Sequence, residues 1–486
     1  MNYSFWADEA FISSIARQWI TDRISIFTAL NISGITYQKL QVLAIGIFFK
    51  FFGISEFIAR LPSIIVFFIG IIIIFLLVKK LSNIYGGLVS AFLYAFSHLN
   101  LAYATQAKPY SALETITIIV ILLLVYLEKE KRKLYIFLYN FLIIFLLTIA
   151  TLLHSIGVLI WVLYFVYNVL TWKRSNVLTF KRSHVLTFLT LTIVAIVGYI
   201  FIIPIVLSSI GGGQLLPYNH LYQIIKLFAY KYTFISVCAF FGYVWLFKKH
   251  KTLSITILVY SVVVLFMAGF RAYIFNIRYV LSLFGIIFLY FGIFWAKVGE
   301  RYDKNLKLRI KNLELTGKVI VPLTVLILLY TTGYKITRLP QAYYNPNIDK
   351  YGDVQIANYK DFYFQLKNRF PDYKNLYVVN DTLDVEYWYF GRYSNAYFIK
   401  GTTKPYKYNV GKHAMIYGSL LDFKKIIEDH PQGLLIMEDW ESFLPEDIKQ
   451  YVKKNLKLEF RVESLKEAPD DPWPLALYSW GTSIVK

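Results

Sequence analysis

The 486-residue sequence contains a single cysteine, Cys238, which lies within an apolar segment. One cysteine excludes an internal disulfide framework and a zinc cluster built on thiolates. Charged residues are also scarce at 17% of the chain, whereas 57% of the residues are hydrophobic and the mean hydropathy is +0.50. Soluble chains of this length are less apolar, so the composition is typical of a protein embedded in a membrane.

Acidic residues are few as well, with 30 Asp and Glu against 51 Lys and Arg, which gives a formal net charge of +21. The basic residues are grouped between hydrophobic runs. Membrane topology explains that grouping better than a phosphate-binding surface does, so no nucleic-acid partner is predicted. The first twenty residues lack the uninterrupted apolar stretch of a cleavable signal peptide. Insertion is therefore expected to rely on internal spans.

Many apolar runs along the chain are close in length to the roughly 20 residues needed to cross a bilayer core. About ten transmembrane spans are predicted, near residues 62–78, 86–104, 111–127, 135–152, 155–171, 185–207, 230–247, 252–270, 279–296 and 319–335. Loops rich in Lys and Arg begin near residues 79, 128, 172, 248 and 296 and alternate with loops that are not. Since such loops accumulate in the cytoplasm, the sequence predicts a multi-pass plasma-membrane protein whose other loops and N-terminus are extracytoplasmic.

Two further regions complete the predicted fold. The segment between Thr21 and Phe52 is apolar but interrupted, and we expect helices that lie along the membrane interface. Beyond about residue 337, short apolar runs predict strands near 375–381, 395–401, 433–439, 456–464 and 475–481, and helices near 423–430 and 445–455. The fold class is therefore a polytopic α-helical membrane domain over 1–336, followed by a soluble extracytoplasmic α/β domain over 337–486.

The opening segment NYSFWADEAF carries an acidic pair, Asp8 and Glu9, next to Trp6. One interpretation is a helix cap, because acids favour the start of a helix. Capping needs only one acid, however, and two carboxylates at the outer interface are costly enough to indicate a function. Neighbouring helical residues point about 100° apart. One carboxylate is therefore expected to face a reacting atom while the other supports it.

Four cations, Arg60, Lys108, Arg271 and Arg278, lie at the outer ends of predicted spans, where few cations are expected. Each one alone is explained by a long side chain reaching interfacial lipid phosphate. Together, facing the acidic pair, they would form a pocket for an anion delivered by the membrane, and a lipid phosphate is the obvious anion. The histidines, His154 among them, show no H-x-x-x-H or H-E-x-x-H spacing, so metal dependence is unsupported and stays open.

The segments WADEAFISSIAR and GISEFIARLPS through QAKPYSALE resemble the C-type (GT-C) membrane glycosyltransferases of the protein O-mannosyltransferase and aminoarabinose-transferase superfamily. The resemblance covers roughly residues 5–130. It rests on the acidic pair, an Arg-Leu-Pro-Ser entry to a span, the Gly86-Gly87 turn and the basic-x-Tyr element from Lys108 to Tyr110. A weaker similarity lies at Arg278-Tyr279.

The resemblance implies a GT-C fold and transfer of a sugar from a polyisoprenyl-phosphate donor to an extracytoplasmic protein, lipid or glycan, with inversion and no required cofactor. It makes Asp8 the general base and Glu9 its helper. Donor-phosphate ligands would be Arg60, Lys108, Tyr110, Arg271 and Arg278, while His154, Trp6 and Tyr279 are candidate acceptor or supporting residues. Relatives carry a span before the acidic pair, and only seven residues precede Asp8 here, so we expect a further span upstream.

Two alternatives belong to other functional classes. A transporter or flippase for lipid-linked glycans should show paired half-repeats with polar residues near the middle of the membrane. Here the polar residues gather at the outer edge, which favours an enzyme. A non-catalytic glycan-assembly protein that binds glycan through its α/β domain is the third interpretation. For an enzyme, we expect that domain to bind or position the acceptor.

Overall fold

A computed structural model describes residues 4–5, 7–21, 23–30, 38–172, 220–270, 276–307, 327, 330, 343–345, 350–352, 357–381, 385–407, 414–439, 442–463 and 473–481. The predicted span at 185–207 lies outside the described residues. So does the span at 319–335, apart from the two helical residues Ile327 and Tyr330, and so does the predicted domain boundary at 336/337.

The membrane part is helical throughout its described length. Its helices are α1 (Ala7–Ile20), α2 (Ile26–Leu30), α3 (Lys39–Phe52), α4 (Glu56–Leu81), α5 (Ile84–Phe96), α6 (His98–Ala104), α7 (Tyr110–Leu127), α8 (Lys133–Leu153), α9 (Trp161–Trp172), α10 (Leu221–Lys226), α11 (Thr233–Lys249), α12 (Lys251–Phe270) and α13 (Leu281–Lys307). Short 3-10 turns at Ser155–Ile160 and Ile277–Val280 precede α9 and α13, and a π-helical turn at Leu227–Lys231 follows α10.

Five helices are long and apolar enough to cross a membrane: Glu56–Leu81, Tyr110–Leu127, Lys133–Leu153, Lys251–Phe270 and Ile277–Glu300. A bent pair, Leu221–Ala229 with Thr233–Lys249, makes a sixth if it is counted as one span. The chain is therefore a multi-pass membrane protein, although the described residues do not confirm a count of ten. Along α8, Phe137, Phe141 and Phe145 are exposed at four-residue spacing and form a lipid-facing stripe.

Side-chain caps correct two of the predicted span boundaries. The span predicted at 86–104 is divided into α5 and α6, because the Ser97 hydroxyl accepts a hydrogen bond from the Asn100 amide (3.4 Å) and starts a new helix. Helix α4 begins at Glu56 rather than at Pro62, because Ser55 caps it by accepting from the Ile58 amide (3.2 Å). The earlier start adds more than one helical turn at the N-terminal end of α4.

Small residues allow α5 and α13 to approach closely. A Cβ atom at Gly86 would lie 2.6 Å from the Gly292 carbonyl oxygen, so only glycine fits there without a shift. One turn further along, the Ser90 hydroxyl donates to the Phe288 carbonyl (2.8 Å). Contact through glycine and a serine hydroxyl is the usual way in which helices associate inside a bilayer. The turn predicted at Gly86-Gly87 is therefore wrong: both glycines lie inside α5, and Gly86 allows the close approach of α13.

Basic loops meet at one end of the helical bundle. The His250 ring contacts the Glu128 carboxylate (Nδ1 to Oε2, 2.6 Å), and Asn83 donates to Glu300 (3.2 Å). The first contact joins the chain after α11 to the chain after α7, and the second joins the chain after α4 to the C-terminal part of α13. The opposite end of the bundle holds the start of α4, the start of α7 and the start of α13, together with α1.

The C-terminal part is a mixed α/β domain. A seven-stranded sheet has the order β5-β6-β4-β3-β7-β9-β8, in which β6, β4, β3 and β7 are parallel. Its strands are β3 (Tyr377–Asn380), β4 (Ala396–Phe398), β5 (Tyr406–Lys407), β6 (Met415–Tyr417), β7 (Gly433–Glu438), β8 (Lys457–Val462) and β9 (Leu475–Trp480), and β1 (Tyr343–Asn345) and β2 (Lys350–Gly352) form a separate hairpin. Its helices are α14 (Tyr359–Arg369), α15 (Glu386–Phe390), α16 (Leu420–Asp429) and α17 (Glu446–Asn455). All five predicted strands and both predicted helices are confirmed.

The two parts share a hydrophobic core. Phe5, Ile12 and Phe49 from the N-terminal region belong to the same buried cluster as Phe362 and Leu434 from the α/β domain. The α/β domain therefore packs directly on the membrane part, at the end of the bundle that carries α1.

Candidate functional site

Asp8 lies in the first turn of α1, between two cations from distant parts of the chain. Its Oδ2 atom is 3.0 Å from Lys108 Nζ and 3.4 Å from Arg278 Nη1. Lys108 immediately precedes α7, and Arg278 lies in the 3-10 turn before α13. Three segments at least a hundred residues apart thus place three charged groups around one point, at the end of the bundle that carries α1.

Glu9 points elsewhere and is fully buried. Its Oε1 atom accepts from Arg60 Nε (3.0 Å) and from the Ala107 amide (2.7 Å), while Arg60 Nη2 reaches Oε2 (3.3 Å). Arg60 is equally buried, and its Nη2 atom also donates to the Ser4 carbonyl (3.2 Å). A buried, hydrogen-bonded ion pair of this kind fixes geometry rather than offering charge to a ligand. The two carboxylates thus point in different directions, as expected of neighbouring residues in a helix.

The exposure of the three charged groups differs, and the difference defines the open side of the site. The Asp8 side chain is 40% exposed and that of Arg278 is 26% exposed, whereas that of Lys108 is only 3% exposed. Attraction to Lys108, with a further contribution from Arg278, lowers the pKa of Asp8 below its ordinary value. Burial lowers the pKa of Lys108, and the Asp8 carboxylate opposes that effect. Asp8 is therefore an ionised carboxylate at neutral pH.

Aromatic rings and an asparagine fix Arg278. Its guanidinium lies over the Tyr110 ring (5.6 Å) and the Tyr279 ring (5.5 Å). Asn276 accepts from the Arg278 amide (3.1 Å) and from the Tyr103 hydroxyl (3.3 Å). The Nε atom of Arg278 is buried without a hydrogen-bond partner in the described part of the chain. Such a group favours an additional acceptor at this position.

His154 closes the site from the end of α8. Its Nδ1 atom accepts from the Ile156 amide (3.2 Å), which leaves the proton on Nε2, and its ring lies 5.4 Å from that of Tyr110. Burial, together with repulsion from Lys108 and Arg278, lowers the pKa of His154 to about 3. His154 is therefore a neutral hydrogen-bond donor that adds no charge to the site.

The structure brings together six of the predicted site residues: Asp8, Lys108, Tyr110, Arg278, Tyr279 and His154. Glu9 and Arg60 form the buried pair beside them, and Trp6 and Arg271 lie outside the described residues. Sequence reasoning did not include Asn276 or Ser63, whose hydroxyl donates to the Lys108 carbonyl (2.9 Å). An asparagine just ahead of a helical turn is a recognisable cap, so the sequence did contain a signal for Asn276. It contained no such signal for Ser63.

Within the described ranges, no group of three or more His, Cys, Asp or Glu side chains is arranged to hold a metal ion. The charges that neighbour Asp8 are instead supplied by an ammonium and a guanidinium. The prediction that no cofactor is required remains a prediction.

Comparison with known proteins adds sequence and structural relatives. Residues 41–201 match the family described as dolichyl-phosphate-mannose-protein mannosyltransferase. Comparison with curated protein sequences finds no match.

Among solved structures, ArnT from Cupriavidus metallidurans in the apo state is similar, with a TM-score of 0.62, 10% identity and coverage of 99% of this chain and 94% of ArnT. ArnT bound to undecaprenyl phosphate gives a TM-score of 0.54 at 11% identity, covering 98% of this chain and 94% of ArnT. The archaeal oligosaccharyltransferase AglB from Archaeoglobus fulgidus, in complex with an inhibitory peptide and a dolichol-phosphate, gives 0.50 at 10% identity, covering 80% and 59%.

The matched family segment includes α4 and α7, which carry Arg60 and Tyr110, and the shared fold extends over nearly the whole chain. Sequence match and fold agree with each other and with the resemblance carried by the acidic pair and the Arg-Leu-Pro-Ser element. This chain therefore shares the fold of ArnT over nearly its whole length, and about a third of it matches the dolichyl-phosphate-mannose-protein mannosyltransferase family.

Proposed function

We propose that this protein transfers a sugar from a polyisoprenyl-phosphate donor to a hydroxyl of an extracytoplasmic acceptor, with Asp8 as the general base. The observation that carries the proposal is the half-exposed Asp8 carboxylate shared by Lys108 and Arg278. The ArnT and AglB structures with bound lipid phosphates support this donor class.

The charges of the site balance throughout such a reaction. A sugar phosphodiester carries one negative charge, and with ionised Asp8 it gives two negative charges opposite the two cations. As the acceptor oxygen bonds to the anomeric carbon, the acceptor proton moves to Asp8 and the electron pair of the sugar–phosphate bond goes to the phosphate. The products are neutral Asp8 and a phosphate monoester with two negative charges. The two cations therefore stay neutralised while one charge moves from base to leaving group.

This balance requires no general acid. The phosphate monoester leaves as a stable anion, so its departing oxygen needs cations rather than a proton. Lys108 and Arg278 supply them, and Arg278 Nε, which has no hydrogen-bond partner among the described residues, is the atom best suited to a phosphate oxygen. Neutral His154 and the Tyr110 hydroxyl add hydrogen-bonding capacity without altering the charge count.

Donor binding also activates the base. In the unliganded protein Lys108 and Arg278 lower the pKa of Asp8, which keeps it ionised but makes it a weak base. A phosphate that takes up those two cations withdraws part of their attraction from Asp8. The pKa of Asp8 then rises toward its ordinary value, and the carboxylate becomes a better proton acceptor when the donor is in place.

The buried pair has a different role in this proposal. Arg60 has no exposed surface and is occupied by Glu9, so we assign it to orienting α1 rather than to binding the donor phosphate. Glu9 correspondingly holds the first turn of α1 against the Ala107 amide, one residue before Lys108. That contact sets the distance between the base and its neighbouring cation.

The active face is assigned from the arrangement of basic loops. The loops after α4, α7 and α11 meet at the end of the bundle opposite Asp8, and Lys and Arg accumulate in the cytoplasm. The site and the α/β domain are accordingly extracytoplasmic. Accessibility labelling of single cysteines introduced at Glu130 and at Lys374 tests this. Labelling of position 374 but not of position 130 by a membrane-impermeant reagent in intact cells supports it.

The test of the reaction uses the purified full chain with polyprenyl-phosphate sugars and extracts containing envelope acceptors. Transfer of radiolabelled sugar, lost in Lys108→Gln and Arg278→Gln because donor affinity falls, is the expected result. Lys79→Gln, at the opposite end of the same bundle, is the matched control and should transfer normally. Movement of intact lipid-linked glycan across vesicles without sugar transfer would instead support a flippase.

A further inference from the structure

The α/β domain contacts the backbone that leads into the acidic pair. The Tyr389 hydroxyl, on α15, accepts from the Phe5 amide (2.7 Å) and donates to the Glu56 carboxylate at the start of α4. Tyr389 thus joins the residue three positions before Asp8 to the helix that carries Arg60. A single hydroxyl from the C-terminal domain links both segments that define the site.

Neighbouring contacts hold the same short segment. The Trp388 ring packs against the rings of Phe5 (4.9 Å) and Phe49 (5.8 Å). The Arg60 guanidinium lies 4.9 Å from the centroid of the same Phe5 ring. Phe5 therefore contacts both the α/β domain and the cation that orients Glu9.

Ser4 is fixed in the same way. Its hydroxyl accepts from the Lys360 amide on α14 (3.2 Å), and its carbonyl accepts from Arg60 Nη2 (3.2 Å). The Lys360 ammonium lies 3.4 Å from the Glu56 carboxylate that also binds Tyr389. Two residues of the α/β domain and one of the membrane part thereby fix the backbone of residues 4–5.

We propose that Tyr389 is a positioning residue through which the α/β domain holds Asp8 in its reactive orientation. The inference rests on the proposed glycosyl transfer and extends it: the domain contributes to the chemical step, in addition to any contact it makes with the acceptor. A helix of fourteen residues is marginal by itself in water, so its first turn depends on outside contacts for a fixed position. Displacement of a catalytic group by about 1 Å can lower a rate a hundredfold.

Tyr389→Phe removes the hydroxyl while keeping the ring. We expect kcat to fall roughly tenfold, because the base is less well oriented. This loss is smaller than the roughly hundredfold loss caused by a displacement of about 1 Å. The donor KM should stay within about twofold, because Lys108 and Arg278 are untouched. The matched control is Tyr393→Phe, whose hydroxyl accepts from Gln18 (3.4 Å) at the other end of α1. Its kcat should stay within about twofold of wild type.

A kcat for Tyr389→Phe within twofold of wild type overturns the proposal, as does an effect confined to the acceptor KM. If Tyr389→Phe does not fold, Glu56→Gln weakens the same hydrogen bond at unchanged size and should give the same split between kcat and KM. A Glu56→Gln variant with normal kcat overturns the proposal equally.

Hydrogen exchange followed by mass spectrometry provides a readout that is independent of activity. In the Tyr389→Phe protein, the peptide covering residues 4–12 should exchange faster than in wild type and in Tyr393→Phe. Unchanged exchange of that peptide overturns the proposal. If wild-type protein transfers no sugar from any polyprenyl-phosphate donor, the proposed function fails, while the exchange experiment still decides whether Tyr389 holds the segment.

Discussion

Replacing Asp8 by Asn separates proton transfer from donor binding. The amide keeps the size of the carboxylate but cannot accept the acceptor proton, so kcat should fall by about 10²–10⁴, the range for loss of a general base. The same change removes a negative charge that competes with the donor phosphate for Lys108 and Arg278. With the Asp8 side chain 40% exposed, that competition is screened to on the order of 1 kcal/mol. The donor should therefore bind at least as tightly as to wild type, and up to about fivefold more tightly.

The assay measures both quantities on one preparation. Single-turnover transfer of labelled sugar gives the rate of the chemical step, and equilibrium binding of a non-hydrolysable polyprenyl-phosphate sugar gives donor affinity. Glu130→Gln, which removes a carboxylate at the other end of the bundle, is the matched control and should change neither quantity. Asp8→Asn with wild-type transfer would refute the base assignment. A loss of transfer accompanied by an equal loss of donor affinity would refute the charge balance proposed for the site.

Three further predictions concern stability and pH. Glu9→Gln removes the charge opposite a fully buried guanidinium and should lower the free energy of unfolding by roughly 3–5 kcal/mol, seen as a lower thermal midpoint in detergent than that of Asp8→Asn. Gly86→Leu should lower the same midpoint by overpacking α5 on α13, whereas Gly299→Leu, where a side chain meets open space, should not. Because Lys108 holds the pKa of Asp8 below its ordinary 3.8, the ionised base is lost only as pH falls through that lowered value. The acid limb of the kcat/KM profile should therefore lie at lower pH than the acid limb of the kcat profile, because bound donor has raised the pKa of Asp8 in the latter. The reverse order of the two acid limbs would contradict this assignment.

The sequence predicted the membrane helices well where hydropathy alone decides them. Lys133–Leu153 and Lys251–Phe270 agree closely with the predicted spans, because a run of about twenty apolar residues has few other stable environments. Boundaries were wrong where a single polar side chain decides. Ser97 divides a long apolar run, and Ser55 starts α4 ahead of Pro62. Hydropathy averages over many residues and does not register a cap made by one hydroxyl.

The sequence predicted which residues form the candidate site but not which carboxylate pairs with which cation. Topology placed Asp8, Glu9 and the cations at the same end of the bundle. It did not indicate that Lys108 and Arg278 face Asp8 while Arg60 faces Glu9, since the three cations carry the same charge and the two adjacent carboxylates also carry the same charge. The pairing follows from the extension of α4 back to Glu56, which turns Arg60 into the interior beneath α1.

In the proposed reaction, two adjacent carboxylates answer conflicting demands on the base. A general base must be open to the acceptor and free to change charge, and Asp8 is the more exposed of the two carboxylates. A solvent-exposed side chain on a short helix is poorly fixed in position, however. Asp8 is also attracted by two cations toward the proposed position of the phosphate. Glu9 resolves the conflict because it is buried, is held by Arg60 and by the Ala107 amide, and fixes the backbone next to Asp8. The α/β domain applies a second constraint at Phe5, through Tyr389. In the proposed reaction, Asp8 can thus take up the acceptor proton while the helix that carries it stays in place.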